Sequence, residues 1–259
     1  MNMSADRMTP GQYFWMVAVS VVAGGIYFWP QYLVSVAGTE GLYSLVTVLA
    51  VAVGLTSLEA AAMKHADAKT YATGLARIVP WLGLFLLCPF RSVVAIVLDG
   101  LILLLYALMM QAFYYPYTPY AVFQVAILLT AGWIGARNLA AVARFSQFWF
   151  PIVIALFVLA TTFTLPHIRY LAAILPPAHL SIAPWVESVL GTWYLSSNAN
   201  VVATMANRVD WVGPRQSLWV TMAAIASQGL VILTLYAMTL WTLGPDAVAR
   251  LYWPLGEFS

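Results

Sequence analysis

The sequence predicts an all-α polytopic membrane protein, and two observations lead to that prediction. Of the 259 residues, 63% are hydrophobic and only 8% are charged, whereas roughly 25% of residues in soluble domains are charged. Apolar runs also recur along the chain that are long enough to cross a bilayer, which takes about 20 helical residues. The hydropathy pattern predicts seven spans, at residues 12–36, 42–63, 81–112, 119–135, 146–165, 183–206 and 216–243.

We expect a single membrane domain over residues 1–259. The N-terminus has no basic region leading into a short apolar core and no cleavage site, so the first span is expected to remain in the mature protein. Cys88 is the one cysteine and is interpreted as a small buried hydrophobe. The net charge of +2 comes from scattered residues, so no nucleic-acid partner is predicted.

Basic residues predict the orientation of the chain, because Lys and Arg are enriched in cytoplasmic connections. With a cytoplasmic N-terminus, Arg169 and Arg250 lie outside and Arg91 lies within a span. The remaining basic residues all fall in inside connections: Arg7, Lys64, Lys69, Arg77, Arg137, Arg144, Arg208 and Arg215. The N-terminus is therefore predicted to be cytoplasmic, in a multi-pass protein of the cell membrane.

The first span, QYFWMVAVSVVAGGIYFWPQYLVSV, is weak at its centre. Gly24 and Gly25 lie side by side there, and Pro30 follows within two turns. Glycine and proline are poor helix formers, and an unwound backbone in lipid must be covered by protein or line a cavity. The glycines indicate either close packing of a neighbouring helix or an interruption that forms a binding site.

Two stretches between the early spans carry further signals. Residues 64–80 are polar with regularly spaced apolar positions, which favours a short amphipathic helix at the cytoplasmic surface over a solvated loop. A tyrosine cluster precedes the fourth span, and we interpret it as an interfacial aromatic belt at the outer face rather than a ligand cage. Its members are Tyr114, Tyr115, Tyr117 and Tyr120.

The sixth span also contains an unusual stretch. Gly191 and Thr192 are followed by a polar cluster in mid-membrane, made of Ser196, Ser197, Asn198 and Asn200. Each buried polar group needs a partner there. This pattern favours a functional site over a purely structural interhelical bond.

No catalytic constellation is present in the sequence. His65, His167 and His179 lie in separate connections without metal-ligand spacing, and no phosphate-binding glycine loop occurs. We therefore expect neither an enzyme nor a metal site nor a cofactor. Three ionisable residues lie deep in spans, and we order them by functional interest as Asp99, Arg91 and Glu59.

The two interrupted spans stand five spans apart. That spacing predicts an inverted-repeat transporter-like fold, in which discontinuous first and sixth helices hold the ligand near the midplane. The first repeat would cover about residues 12–165 and a partial second repeat about 183–243. Free helix ends offer N–H groups to a carboxylate and C=O groups to an ammonium, so a zwitterionic amino acid would suit this site.

Several segments resemble the spore germination permease family, the B subunits of nutrient germinant receptors within the amino acid/polyamine/organocation superfamily. The first is the opening, MTPGQYFWMVAVSVVAGGIYFWPQYLVSVAGTEGLYSL. The others, in order along the chain, are AKTYATGLARIVPWLG, YTPYAV, LAAVARFSQFWFPIVI, DWVGPRQSLW and LYWPLGEFS. The order and spacing of these segments carry the resemblance more than any one motif does.

The resemblance implies a subunit in the spore inner membrane that recognises a small germinant, often an amino acid, beside membrane lipid and the A and C receptor subunits. It also implies about ten spans, so the chain would lack the last three helices, of which the eighth normally contributes to the pocket. Two alternatives stay open: an ion-coupled amino acid permease, and a truncated scaffold subunit without a working pocket. The candidate ligand-binding residues are Ala23, Gly24, Gly25, Ile26, Asp99, Leu190, Gly191, Thr192 and Trp193.

Overall fold

The computed structural model describes residues 7–22, 29–65, 80–82, 85, 88–171, 181–193 and 205–251. Over these residues the regular structure is helical, with a single isolated bridge between Met8 and Val209. The all-α class is therefore confirmed. The helices of six or more residues are α1 (Pro10–Val22), α2 (Trp29–Ala37), α3 (Gly41–His65), α4 (Cys88–Phe113), α5 (Tyr120–Gly135), α6 (Leu139–Thr164), α7 (Ile182–Thr192), α8 (Pro214–Leu243) and α9 (Pro245–Arg250).

Four stretches of the described chain are long and apolar enough to cross a membrane. They are Trp29–Leu58, Ser92–Phe113, Leu139–His167 and Arg215–Leu243, and α5 is a shorter apolar helix. The protein is thus a multi-pass membrane protein. The first stretch joins α2 to α3 through a turn at Gly38–Glu40.

The turn between α2 and α3 reverses the chain. Gly38 has a φ of 55°, a conformation that glycine adopts without a steric penalty. A Cβ added at Gly41 would lie only 3.0 Å from the Cβ of Leu33, eight residues earlier. In one continuous helix these positions would be about 12 Å apart along the axis. Helices α2 and α3 are therefore packed neighbours.

Helix α8 is the centre of the bundle and packs against α1 and α3, and α6 packs chiefly against α1. Small residues permit this close approach: a Cβ on Gly229 of α8 would lie 3.2 Å from Leu49 of α3. Such contacts matter in lipid, where packing rather than the hydrophobic effect holds helices together. The buried core includes Tyr13, Val17, Leu33, Leu45, Ile225, Ile232, Tyr236 and Leu240.

Helices α4 and α5 form the edge of the described structure. Helix α4 packs chiefly against α5, and both helices expose large apolar side chains, including Ile96, Leu101 and Leu129. An apolar surface of this kind suits contact with lipid acyl chains. The four tyrosines of the expected aromatic belt are also exposed, in and around the α4–α5 connection.

The segment before α1 pairs with the segment before α8. The Met8 N–H donates to the Arg208 carbonyl and the Asp210 N–H donates to the Met8 carbonyl, both at 2.9 Å. The Met8 side chain is fully buried. The following residues form a capping box, since the Thr9 and Gln12 side chains each accept a hydrogen bond from the other residue's N–H group.

Hydropathy located most helices but placed the start of α6 too late. Helix α6 begins seven residues before the predicted span at 146, because the Asn138 side chain accepts the Ala141 N–H at 2.8 Å and caps an earlier turn. Arg144, in the second turn of the helix, lowers the local hydropathy. Helix α4 is described from Cys88, and a helical turn at Pro80–Leu82 lies at the predicted start; residues 83, 84, 86 and 87 between them lie outside the described structure. The expected amphipathic helix at 64–80 falls mostly outside the described residues.

Candidate functional site

The strongest candidate site lies where α2 begins and α7 ends. Helix α7 starts after Ser181, and Pro184 is tolerated in its first turn, where no intrahelical N–H donor is needed. Helix α2 likewise carries Pro30 in its first turn. The two helices pack against each other, which brings the N-terminus of one toward the C-terminus of the other.

Gly191 and Tyr32 make the closest contact between these helices. A Cβ added at Gly191 would overlap the Tyr32 ring, so no larger side chain fits there without moving that ring. The Tyr32 hydroxyl also donates to the Glu187 carbonyl, one turn earlier on α7, at 3.4 Å. Glycine at 191 is therefore explained by close packing within a helix.

Two polar contacts fix α7 against α3 and the preceding turn. The hydroxyls of Ser44 and Ser188, both fully buried, are 2.5 Å apart. Nearer the start of α7, the Glu40 carboxylate accepts the Ser181 N–H at 3.0 Å. A negative charge at a helix N-terminus is stabilising because it faces the positive end of the helix dipole. Helix α7 is thus bound at three positions along its length: at Ser181, at Ser188 and at the Glu187 carbonyl that Tyr32 contacts.

The end of α7 falls within the stretch where the sequence predicts an interruption of the sixth span. Leu190, Gly191 and Thr192 are helical, and α7 ends only after Thr192, with Trp193 as the C-cap residue. Thr192 is fully buried, and its hydroxyl donates to the Ser188 carbonyl at 2.7 Å. Helix α7 therefore ends within the predicted range 190–193, and the residues from 194 to 204 lie outside the described structure.

The other predicted site residues are not all brought together. Leu190 is 68% exposed and lies on the outer surface of α7. Asp99 is exposed on α4, a helix that packs chiefly against α5 rather than against α2 or α7. Ala23, Gly24, Gly25 and Ile26 lie outside the described residues, as does the polar cluster at 196–200, and so do the side chains of Arg91 and Glu59.

A small apolar recess adjoins the start of α2. It has space for about one water molecule. Beside it, the buried Tyr236 hydroxyl has no hydrogen-bond partner within the described structure. The lining residues come from α2, α3 and α8: Trp29, Pro30, Leu33, Leu45, Ile232, Leu235 and Tyr236.

Sequence reasoning missed two buried polar features of the bundle, although each has a signal in the sequence. Gln228 is a lone amide within the apolar run AIASQGLVIL, and it is 1% exposed in the structure. Ser44 and Ser188 each lie in apolar surroundings as single hydroxyls, and only the fold shows that they pair.

The arrangement can offer complementary groups to a zwitterion. The first turn of a helix has N–H groups without intrahelical acceptors, and the last turn has unpaired carbonyls. The start of α2 thus presents partial positive charge, and the end of α7 presents partial negative charge. Among the described residues, no group of three His, Cys, Asp or Glu side chains could hold a metal ion.

A family profile described as spore germination protein matches residues 7–258, nearly the whole chain. No curated protein and no solved structure matches significantly.

Proposed function

The chain belongs to the spore germination protein family, and on that basis we propose that it is the membrane subunit of a nutrient germinant receptor. Family membership and the apolar helices make it a germination-related membrane protein. The family is a membrane permease and receptor type, not an enzyme class. Beyond family membership, we propose a ligand and its binding site, partner subunits and a membrane location for this chain.

The ligand we propose is a small germinant such as an amino acid, bound near the membrane midplane between the start of α2 and the end of α7. The observation that supports it is the Tyr32–Gly191 contact, which brings the two helix ends together. A carboxylate would bind at the N-terminus of α2, and an ammonium would bind at the C-terminal carbonyls of α7. Residues 23–26 and 190–193 would line the pocket, and Asp99 would contribute only through a rearrangement of α4.

We propose further that the subunit acts in the spore inner membrane, with a cytoplasmic N-terminus, beside the A and C receptor subunits. Ligand binding at helix ends can shift the relative positions of α2 and α7, which is the kind of change that a partner subunit could sense. The same site would also serve an ion-coupled amino acid permease, since fold alone does not separate sensing from transport.

The test is equilibrium binding of radiolabelled amino acids and sugars to the purified full chain in lipid nanodiscs. We expect saturable binding of at least one amino acid, lost in Gly25→Leu and in Gly191→Leu. Gly54→Leu is the matched control, because a Cβ at Gly54 meets nothing within 4 Å. Binding that survives Gly191→Leu would contradict the proposed site.

Two further outcomes separate the alternatives. Uptake into proteoliposomes that depends on a Na⁺ or H⁺ gradient would show that the chain acts as a permease rather than as a receptor subunit. The scaffold alternative would be favoured if no probe bound and if the Gly191→Leu variant still assembled normally into receptor complexes.

A further inference from the structure

The connection between α5 and α6 carries two exposed arginines at one end of these helices. Helix α5 ends at Gly135 and α6 begins at Leu139, so Arg137 lies in the connection and Arg144 lies in the second turn of α6. Within the described part of the chain, neither arginine forms an ion pair with an acidic side chain. Both guanidinium groups can therefore bind an anion from outside the chain.

Arg144 lies within an apolar stretch that can cross the membrane, Leu139–His167, and its side chain is exposed. A charged group in a span is costly unless it finds a partner or extends to the interface. Arg144 is about 7.5 Å along the helix axis from Leu139, and helical side chains tilt toward the N-terminus, here toward the connection. The guanidinium group can therefore reach the level of the lipid headgroups, where phosphate is the available anion.

Arg137 is positioned by an aromatic ring. Its guanidinium carbon lies over the Trp133 ring, 4.7 Å from the centroid. A guanidinium held there can still donate hydrogen bonds from the N–H groups that do not meet the ring, and their fork geometry matches phosphate oxygens. Trp133 lies in the last turn of α5 and is exposed, as is typical of tryptophans at the membrane interface.

Exposed aromatic side chains continue this surface along α6. Phe145, Phe148 and Trp149 follow Arg144, and each is about half exposed or more. The Trp149 ring centroid lies 6.1 Å from that of Phe145 and 5.6 Å from that of Phe148. The start of α6 also presents the positive end of its helix dipole to the same interface. Positive charge beside an apolar surface suits a ligand with an anionic head and hydrocarbon chains.

We propose that the α5–α6 connection binds an anionic phospholipid, with the phosphate at Arg137 and Arg144 and the acyl chains against the aromatic side chains of α6. The continuation of the surface into the span favours a lipid over a soluble phosphate. A lipid with net negative charge is favoured over a zwitterionic one, because the cationic group of a zwitterionic headgroup competes with the arginines for the phosphate. This site lies on helices other than α2 and α7 and goes beyond the proposed function.

The test is competition between phosphatidylglycerol and phosphatidylcholine with identical acyl chains for the purified full chain, with bound lipids counted by native mass spectrometry. The variants are Arg137→Gln, Arg144→Gln and the two combined. Arg250→Gln is the matched control, because it makes the same change at an exposed arginine of α9, outside the candidate spans. Trp133→Leu removes the ring under Arg137 without changing the charge.

We expect the wild-type chain to retain phosphatidylglycerol in preference to phosphatidylcholine. Each single arginine substitution should lower this preference about fivefold, since each basic residue near an anionic surface contributes about that much. The double variant should lose most of the preference, and Arg250→Gln should keep it. Trp133→Leu should lower it about twofold to fivefold, because Arg137 loses its cation–π contact.

Four results would overturn the inference or a part of it. An unchanged preference in the double variant would exclude a lipid site at this connection. An equal loss in Arg250→Gln would show that net charge, rather than these two arginines, attracts the lipid. Displacement of phosphatidylglycerol by inorganic phosphate, beyond that caused by sodium chloride of equal ionic strength, would show a site for a soluble anion. An unchanged preference in Trp133→Leu would contradict the role assigned to the ring.

Discussion

At the scale of single residues, Gly191 shows how one sequence signal can have two structural causes. Glycine within a membrane span predicts either an interruption or close packing, and the sequence alone does not separate them. The structure indicates close packing at Gly191, because the Tyr32 ring occupies the space that a Cβ at this position would need. The glycine was recognisable from the sequence, but its partner, 159 positions away, was not.

Replacement of Gly191 by alanine should destabilise the protein through this ring. We expect Gly191→Ala to lower the free energy of unfolding by about 1–3 kcal/mol, because the added methyl group overpacks the contact. Gly54→Ala, in open surroundings, should be neutral or slightly stabilising. The measurement is thermal unfolding in detergent. In a Tyr32→Leu background the effect of Gly191→Ala should largely disappear, and an undiminished effect would contradict the assigned contact.

Gln228 is a second residue that stands out in the sequence although its structural partner does not. A single polar residue in an apolar span is a visible signal, yet it does not say which helix it meets. The contact with the Val17 carbonyl depends on how α1 and α8 cross, which hydropathy does not encode.

At the scale of elements, α7 depends on contacts at its N-terminus as well as near its end. The Glu40 carboxylate binds the Ser181 N–H, where the helix begins without a side-chain cap of its own. We expect Glu40→Ala to destabilise the protein by about 0.5–1.5 kcal/mol and to speed hydrogen exchange in the first turn of α7. Hydrogen exchange with mass spectrometry measures this directly.

The control for that prediction is Glu187→Ala, which removes a carboxylate from the exposed face of the same helix. It should leave exchange in the first turn unchanged. If both variants speed exchange equally, the general loss of negative charge rather than the Glu40–Ser181 bond would be responsible.

Span positions were largely predictable because apolar length decides them. Helices α3, α5 and α8 begin and end within two residues of the predicted spans. The start of α6 was missed because Asn138 caps the first turn and Arg144 lies in the second, and capping is a local effect that a hydropathy window averages away. Pairings between helices, such as Ser44 with Ser188, require the tertiary fold.

At the scale of the whole molecule, the segment before α1 is bound to the segment before α8. Two backbone hydrogen bonds, the buried Met8 side chain and an ion pair between Arg7 and Asp210 at 2.5 Å join them. Both partners of the ion pair are more than half exposed. An exposed pair of this kind contributes about 0–1 kcal/mol, so the buried methionine should dominate.

We therefore expect Met8→Ala to lower the free energy of unfolding by about 2–5 kcal/mol, and Arg7→Ala to lower it by less than about 1 kcal/mol. Raising the salt concentration should weaken only the contribution of Arg7, since screening acts on exposed charges. Thermal unfolding at low and high salt checks both. An effect of Arg7→Ala larger than that of Met8→Ala would contradict the assignment.

The central claim is that a small amino acid binds between the start of α2 and the end of α7. The most direct measurement is photo-crosslinking of the full chain in nanodiscs with a diazirine analogue of the bound amino acid, followed by peptide mapping. We predict crosslinks within residues 22–32 and 188–200, suppressed by excess unlabelled amino acid and absent in Gly191→Leu. Competable crosslinks confined to α4 and α5, with none in those two segments, would contradict the claim.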